Sequence, residues 1–257
     1  MAIITLTTDW GTKDPYVGAT KGSILQLLPE ANIIDISHEI EPFNLNEVAF
    51  VLKNVFPRFP KGTVHIIGVS SEETPDQPHT AVLFKDQYFI GTDTGIFSML
   101  FNEPYTNAIQ IETKEDSHLT SFATMDRFVK SAVHLVKGNP MEALGRERER
   151  VNSAMLAQPI VNEDFIRGEV IYVDNYENLI TNISKKVIDQ ASRGRKFNIH
   201  YQRNVINGIS ENYCSTHEGE IVGVYGFHGY LEIAINKGNA QGLLGGGVNE
   251  KILIEFL

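Results

Sequence analysis

Two short stretches of this 257-residue chain place polar side chains where ligand chemistry is commonly done. In Leu6-Thr7-Thr8-Asp9-Trp10-Gly11 a strand delivers a carboxylate at its C-terminal end and then turns toward a helix. Ligands gather at such strand ends in open α/β sheets, so Asp9 can accept hydrogen bonds from a ligand, or it can cap the helix that follows. The second stretch, Val173 to Asn182, joins a strand to a polar and aromatic loop carrying Asp174, Tyr176 and Asn178, side chains that bind a ligand or simply form an Asx turn. Other constellations are weaker. Asp35 and His38 make two metal ligands without a third, which reads as a strand-end hydrogen bond. Gly245-Gly246-Gly247 lacks the lysine and hydroxyl residue of a phosphate loop and reads as a turn. His79, His118, His134, His200 and His217 share no spacing and read as surface or capping residues, and nothing is arranged as a serine or cysteine triad.

The elements that must position these groups alternate through the first half. Ile3 to Thr7 is β-branched and predicts a buried strand ending at Asp9 and Gly11. Asp14 is expected as the N-cap and Pro15 as the first residue of a helix that carries Val17, Ile24, Leu25 and Leu28 and stops at Pro29. A strand over 32–37 and a helix over 45–55 follow, then strand-like runs at 64–69, 81–84, 88–90 and 108–111. A helix over 125–137 has Thr124 as its expected cap and Gly138 behind it. This alternation predicts an N-terminal α/β domain with a largely parallel sheet over residues 1–157. Beyond residue 160 strands at 168–174, 196–201, 220–225, 230–236 and 251–256, with one short helix near 185–191, predict a smaller antiparallel, barrel-like β domain over 165–257. The boundary is expected in 154–164, just after a charge-alternating run, Gly145 to Arg150, that reads as a solvated face.

Composition excludes several partners. A formal net charge of −10 argues against a nucleic-acid backbone. The single cysteine, Cys214, excludes an internal disulfide and any multi-cysteine metal site; it is expected half-buried, in a cytoplasmic protein. No apolar run approaches the roughly 20 residues needed to cross a bilayer, and the N-terminus has no basic region ahead of its apolar stretch, so neither membrane span nor secretory leader is expected.

Taken in order, the segments 7–11, 16–18, 21–22, 35–38, 91–95, 173–174, 178–182 and 231–234 resemble the S-adenosylmethionine (SAM) hydroxide adenosyltransferase family and its fluorinase and chlorinase relatives. The resemblance covers nearly the whole chain and rests on order and spacing. It implies a trimer with SAM sites between subunits, and SAM as substrate or ligand with no cofactor or metal. It further implies that Asp9 binds the ribose hydroxyls, that Phe43 packs near the ribose and sulfonium, and that Phe122 lines the pocket at the reacting carbon. Asp174 is implied as the holder of the methionine ammonium, with Tyr176, Asn178 and Tyr213 framing the adenine. The segment 225–229 departs from the loop that relatives use for the methionyl end.

The family's reaction displaces methionine from the 5′ carbon of SAM by water or hydroxide, a step that needs an oriented, desolvated nucleophile. In the family's hydrolases an Asp, Arg and His trio handles that water. Here those positions are occupied by Ser70, Gln77 and Ala123. Three readings follow: hydrolysis, with Ser70, Thr124, Glu73 or His79 positioning the water; binding of SAM or adenosine without turnover; or entry of another nucleophile such as a halide, since Thr124 falls where halogenases carry a serine or glycine. A structural subunit whose fold has outlived its chemistry is the reading of a different class.

Overall fold

The computed structural model describes residues 2–113, 122 and 124–257. They form two compact units, Met1–Leu156 and Ala157–Leu257.

Unit 1 is built on a seven-stranded mixed sheet. Its elements in chain order are β1 (Ile3–Thr8), α1 (Tyr16–Leu27), β2 (Asn32–Ser37), α2 (Leu45–Val55), β3 (Val64–Gly68), β4 (His79–Phe84), β5 (Gln87–Thr92), α3 (Ile96–Leu100), β6 (Asn107–Ile111), α4 (Val129–Val136) and β7 (Gly145–Glu147). The strand order is β2-β1-β3-β5-β4-β6-β7. The first four strands pair in parallel, and the pairs beyond β5 are antiparallel, so β4 and β7 run against the other five. β1 is buried along its whole length because both faces of the sheet are covered. Ile4, Leu6, Val64, Ile66 and Ile90 pack with Ile24 of α1 and Val129 and Ala132 of α4; on the other face Ile67, Val82 and Phe89 pack with Val48 and Leu52 of α2 and Phe97 of α3.

Helix ends follow local chemistry with two exceptions to expectation. Asn44 caps α2 by accepting from the Glu47 amide at 3.1 Å. α1, by contrast, begins after Pro15 with no side-chain cap, so Asp14 is not its N-cap. The expected helix over 125–137 starts as a π-helical turn at Thr124–Phe128 and becomes α-helical only at Val129, with Thr124 buried inside the turn rather than capping it.

Unit 2 contains β8 (Ile160–Val161), β9 (Phe165–Val173), β10 (Leu179–Ser184), α5 (Lys185–Ser192), β11 (Phe197–Tyr201), β12 (Asn204–Asn207), β13 (Ile221–Tyr225), β14 (Tyr230–Ile235), α6 (Ala240–Leu244) and β15 (Lys251–Phe256). All its strand pairs are antiparallel, in the order β12-β11-β15-β9-β10-β14-β13 with β8 on β9. The sheet curls into a nearly closed barrel: the Ser210 amide, just past β12, donates to the Gly223 carbonyl of β13 at 2.8 Å. Ile166, Val170, Leu179, Ile199, Tyr201, Leu231 and Ile254 fill its interior. The stretch read as a loop from Val173 to Asn182 is shorter than expected, because Leu179 to Asn182 already belong to β10. Asn182 joins neighbouring segments there, accepting from the Glu169 amide and donating to the Ala157 carbonyl.

Candidate functional site

The C-terminal ends of β2, β1, β3 and β5 lie side by side in unit 1, and each carries polar residues. Three close polar contacts tie the first two to each other and to α1. The His38 Nε2 lies 3.1 Å from the Asp35 carboxylate, which also binds Lys21 of α1, while His38 Nδ1 meets the Thr8 hydroxyl at 2.8 Å. An N–H facing the carboxylate leaves Nδ1 as the acceptor, so Thr8 donates. Burial alone would raise the Asp35 pKa, but its contacts with Lys21 and His38 hold it below the usual value. Asp35 and His38 thus meet at the strand end at ion-pair distance, without the geometry of the expected hydrogen bond, and among the described residues no cluster of three metal-ligating side chains forms.

Asp9 follows immediately. Its Oδ2 accepts the amide of Phe43 at 3.0 Å, across a gap of 34 residues. Phe43 has φ of 66°, a left-handed conformation that a bulky side chain rarely takes, and its ring is 76 % exposed. The carboxylate thus holds a strained turn that projects an aromatic ring outward, an arrangement typical of ligand clamps. The second oxygen of Asp9 has no partner among the described residues.

Beside it lies an aromatic wall. The Trp10 ring is 4.9 Å from Phe122 and 6.4 Å from Tyr16, and Tyr16 is 5.2 Å from Phe122, all edge-on or tilted. Trp10 lies across Gly68 of β3, where an added Cβ would sit 2.6 Å from the indole. Gly68 pairs with Thr8, so Ser70, two residues further on, stands at the same edge as Asp9; it too is left-handed, at φ 48°. Gln77 is exposed and forms a tight turn with Thr74, through Gln77 N–H to Thr74 O at 3.1 Å and Thr74 N–H to Gln77 O at 3.2 Å. Thr124 is fully buried in the π-helical turn, and its hydroxyl has no hydrogen-bond partner among the described residues. Ala123 lies outside the described residues, as does His118.

Two polar groupings were not anticipated. His79, expected as a surface or capping residue, is 2 % exposed. Its Nδ1 lies 2.9 Å from Arg127 Nη1 and its Nε2 2.9 Å from the Ser71 carbonyl. A carbonyl only accepts, so Nε2 carries the proton and Nδ1 accepts from the guanidinium. Glu73 completes the group: Oε2 binds Arg127 at 2.5 Å and Oε1 accepts the His79 amide at 3.2 Å. Burial would raise the Glu73 pKa, yet the Arg127 hydrogen bond and the His79 amide hold it below the usual value. The second grouping lies in the supposedly solvated charge run. Arg148 reaches back to Asp93, which is fully buried, at 2.7 Å, and the Asn152 amide donates to the same carboxylate. Asp93 therefore clamps the segment after β7 onto the end of β5, with Ala154 packed against Gly95.

Unit 2 holds the remaining candidates. Asp174 Oδ1 accepts the amides of Tyr176 and Asn178, at 2.9 and 2.8 Å, and Oδ2 accepts the Asn178 side chain at 3.0 Å. Asp174 thus builds its own loop, with Glu177 left-handed at φ 60° and Tyr176 at the tip, 76 % exposed. Asn178 is buried, so its amide serves the loop first. Tyr213 begins a short 3-10 turn and donates to Glu232 of β14 at 2.6 Å. Burial first, then that hydrogen bond and the charges of Glu232 and Asp174, push its pKa well above the ordinary phenol range. Cys214, next in the turn, is exposed rather than half-buried. A shallow depression of about 830 Å³ elsewhere on unit 2, between Val161 and Arg195, contains none of these residues.

Comparison with known proteins agrees in both units. Residues 4–145 match the SAM hydroxide adenosyltransferase N-terminal domain and residues 168–253 the C-terminal domain of the same family. The (R)-S-adenosyl-L-methionine hydrolase of Methanocaldococcus jannaschii is 33 % identical over 189 residues, covering 71 % of this chain and 67 % of that protein. The (R)-S-adenosyl-L-methionine hydrolase of Thermus thermophilus is 26 % identical over 251 residues, 93 % of each chain. Among solved structures, an uncharacterized conserved protein from Thermotoga maritima superposes with a TM-score of 0.89 at 30 % identity, over 98 % of this chain and 99 % of that one. With both of its units matched, the chain belongs to the SAM hydroxide adenosyltransferase family.

Proposed function

We propose that this protein binds SAM and transfers its 5′-deoxyadenosyl group to water, giving adenosine and L-methionine. The observation that carries the reading is Asp9: a carboxylate at the C-terminal end of a central parallel strand, one oxygen fixing the Phe43 turn and the other open to ribose hydroxyls. Phe43 and the wall of Trp10, Tyr16 and Phe122 offer aromatic faces that favour a sulfonium. Ser70, Gln77 and the hydroxyl of Thr124, which has no partner among the described residues, are the groups proposed to hold the nucleophilic water, with the charged cluster of Glu73, Arg127 and His79 proposed as their support. His79 has both ring nitrogens engaged, so it orients its neighbours rather than taking a proton. Asp174, Tyr176, Asn178 and Tyr213, contributed by a neighbouring copy in a trimer, are proposed to complete the site for the methionyl and adenine ends. The setting is proposed to be cytoplasmic; among the described residues no helix is long and apolar enough to cross a membrane.

Binding without turnover is the second reading, favoured by the absence of a titratable side chain at Ser70 and Gln77. Incubation with SAM, with and without chloride, followed by chromatography separates the cases. Adenosine and methionine that disappear in D9A support hydrolysis, intact bound SAM supports a sensor, and a 5′-chloro product points to halide entry. No thermal shift with SAM and no product refutes the assignment.

A further inference from the structure

Glu232 is a carboxylate 4 % exposed inside unit 2, and neither the fold nor the proposed reaction asks for a charge there. Tyr213 donates its phenolic proton to Oε2 at 2.6 Å, and His228 Nε2 stands 3.0 Å from Oε1. The Tyr230 amide donates to His228 Nδ1 at 3.1 Å, so that nitrogen is bare and the ring proton sits on Nε2, aimed at the carboxylate. The carboxylate also fills the space above Gly226, where a Cβ would come within 1.8 Å of Oε1, so the 226–229 turn closes directly on it. Burying an ion with this many dedicated donors costs more than an apolar residue would, which points to a purpose beyond stability.

We propose that Glu232, backed by His228, is a positioning residue that fixes Tyr213 as a hydrogen-bond acceptor, so that Tyr213 receives an amino or ammonium group of the ligand. The chemistry follows from the proton count. A phenol has one proton, and Glu232 takes it, so Tyr213 presents only its lone pair and ring to a ligand. An acceptor held this way welcomes N–H groups and repels carboxylate or phosphate. In E232Q the amide N–H₂ competes for the same partners, Tyr213 turns its proton outward, and an amine of the ligand meets a donor.

The inference rests on the SAM-binding reading, and one set of titrations separates the two. Wild-type protein that fails to bind SAM refutes that reading; wild-type binding with unaltered E232Q binding refutes this one alone. Calorimetric titration with SAM is expected to show Y213F and E232Q each weakened about tenfold, the size of one lost hydrogen bond to a ligand. The double variant is expected to be no weaker than the worse single one, because Glu232 acts through Tyr213. In turnover the loss falls on KM. H228Q, which keeps an N–H on Glu232, retains most of the affinity, and H228L does not. 5′-Methylthioadenosine and 5′-methylthioinosine identify the amine: a penalty kept with the first and lost with the second assigns the adenine amino group, and one lost with both assigns the methionyl ammonium. Penalties that multiply, or SAM affinity within twofold of wild type in a folded E232Q, overturn the proposal. Should E232Q fail to fold, Y213F and H228L carry the same test.

Discussion

Acid is expected to weaken unit 1 through one histidine in the sheet that presents the site. His65 of β3 is fully buried and stacks on Phe89 at 4.7 Å. Gln87 fixes its state: the amide Nε2 donates to the Phe59 carbonyl at 2.9 Å, so Oε1 faces His65 Nε2 at 2.7 Å and must accept from it. His65 Nδ1 then accepts from the Thr5 hydroxyl at 2.7 Å, and the ring is neutral. Burial, only partly offset by the Gln87 hydrogen bond, pushes its pKa down from 6.5 to about 4. Between those values the unfolded chain binds a proton that the folded chain refuses, so stability falls as pH falls through that window and levels off below about 4. At 1.36 kcal/mol per unit, the full effect is about 3 kcal/mol. Urea unfolding between neutral pH and about pH 4.5, run on wild type and on H65Q, isolates the contribution as the difference in slope, which H65Q should lack. Imidazole NMR checks the premise in wild type alone. A His65 that titrates near its ordinary value, or that carries its proton on Nδ1, refutes the reasoning.

Three further outcomes test the site and its supports. If each site draws on two copies of the chain, then D9A and D174A chains, each inactive alone, should recover about a quarter of wild-type SAM sites when co-refolded one to one, since a random cyclic trimer leaves that fraction of interfaces intact; recovery of none refutes shared sites. D93A leaves the half-buried Arg148 without its partner and frees the segment held by Asn152, and should cost about 3 kcal/mol in denaturant unfolding, whereas a loss below about 1 kcal/mol contradicts the clamp. G68A drives a methyl group into Trp10 and should weaken SAM binding more than it lowers the melting temperature; unchanged affinity would remove the aromatic wall from the site.

Much of this protein is local, and local features were legible in the sequence. β1 and α2 fall where β-branched and 3.6-residue patterns put them, and Asp9 at the strand end is visible as a carboxylate after a buried run. Periodicity misplaced the start of α1 and missed the π-helical turn and the early beginning of β10, because capping and strand pairing depend on what lies opposite. The polar groupings were invisible for a plainer reason. Arg148 lies 55 residues from Asp93, Arg127 54 from Glu73 and Tyr213 19 from Glu232, and nothing in a one-dimensional pattern marks such pairs. A charge run and an isolated histidine look solvated until the fold removes their water. Burial then obliges each charge to find a partner, and that obligation, which exists only in three dimensions, decided where Asp93, His79 and Glu232 serve.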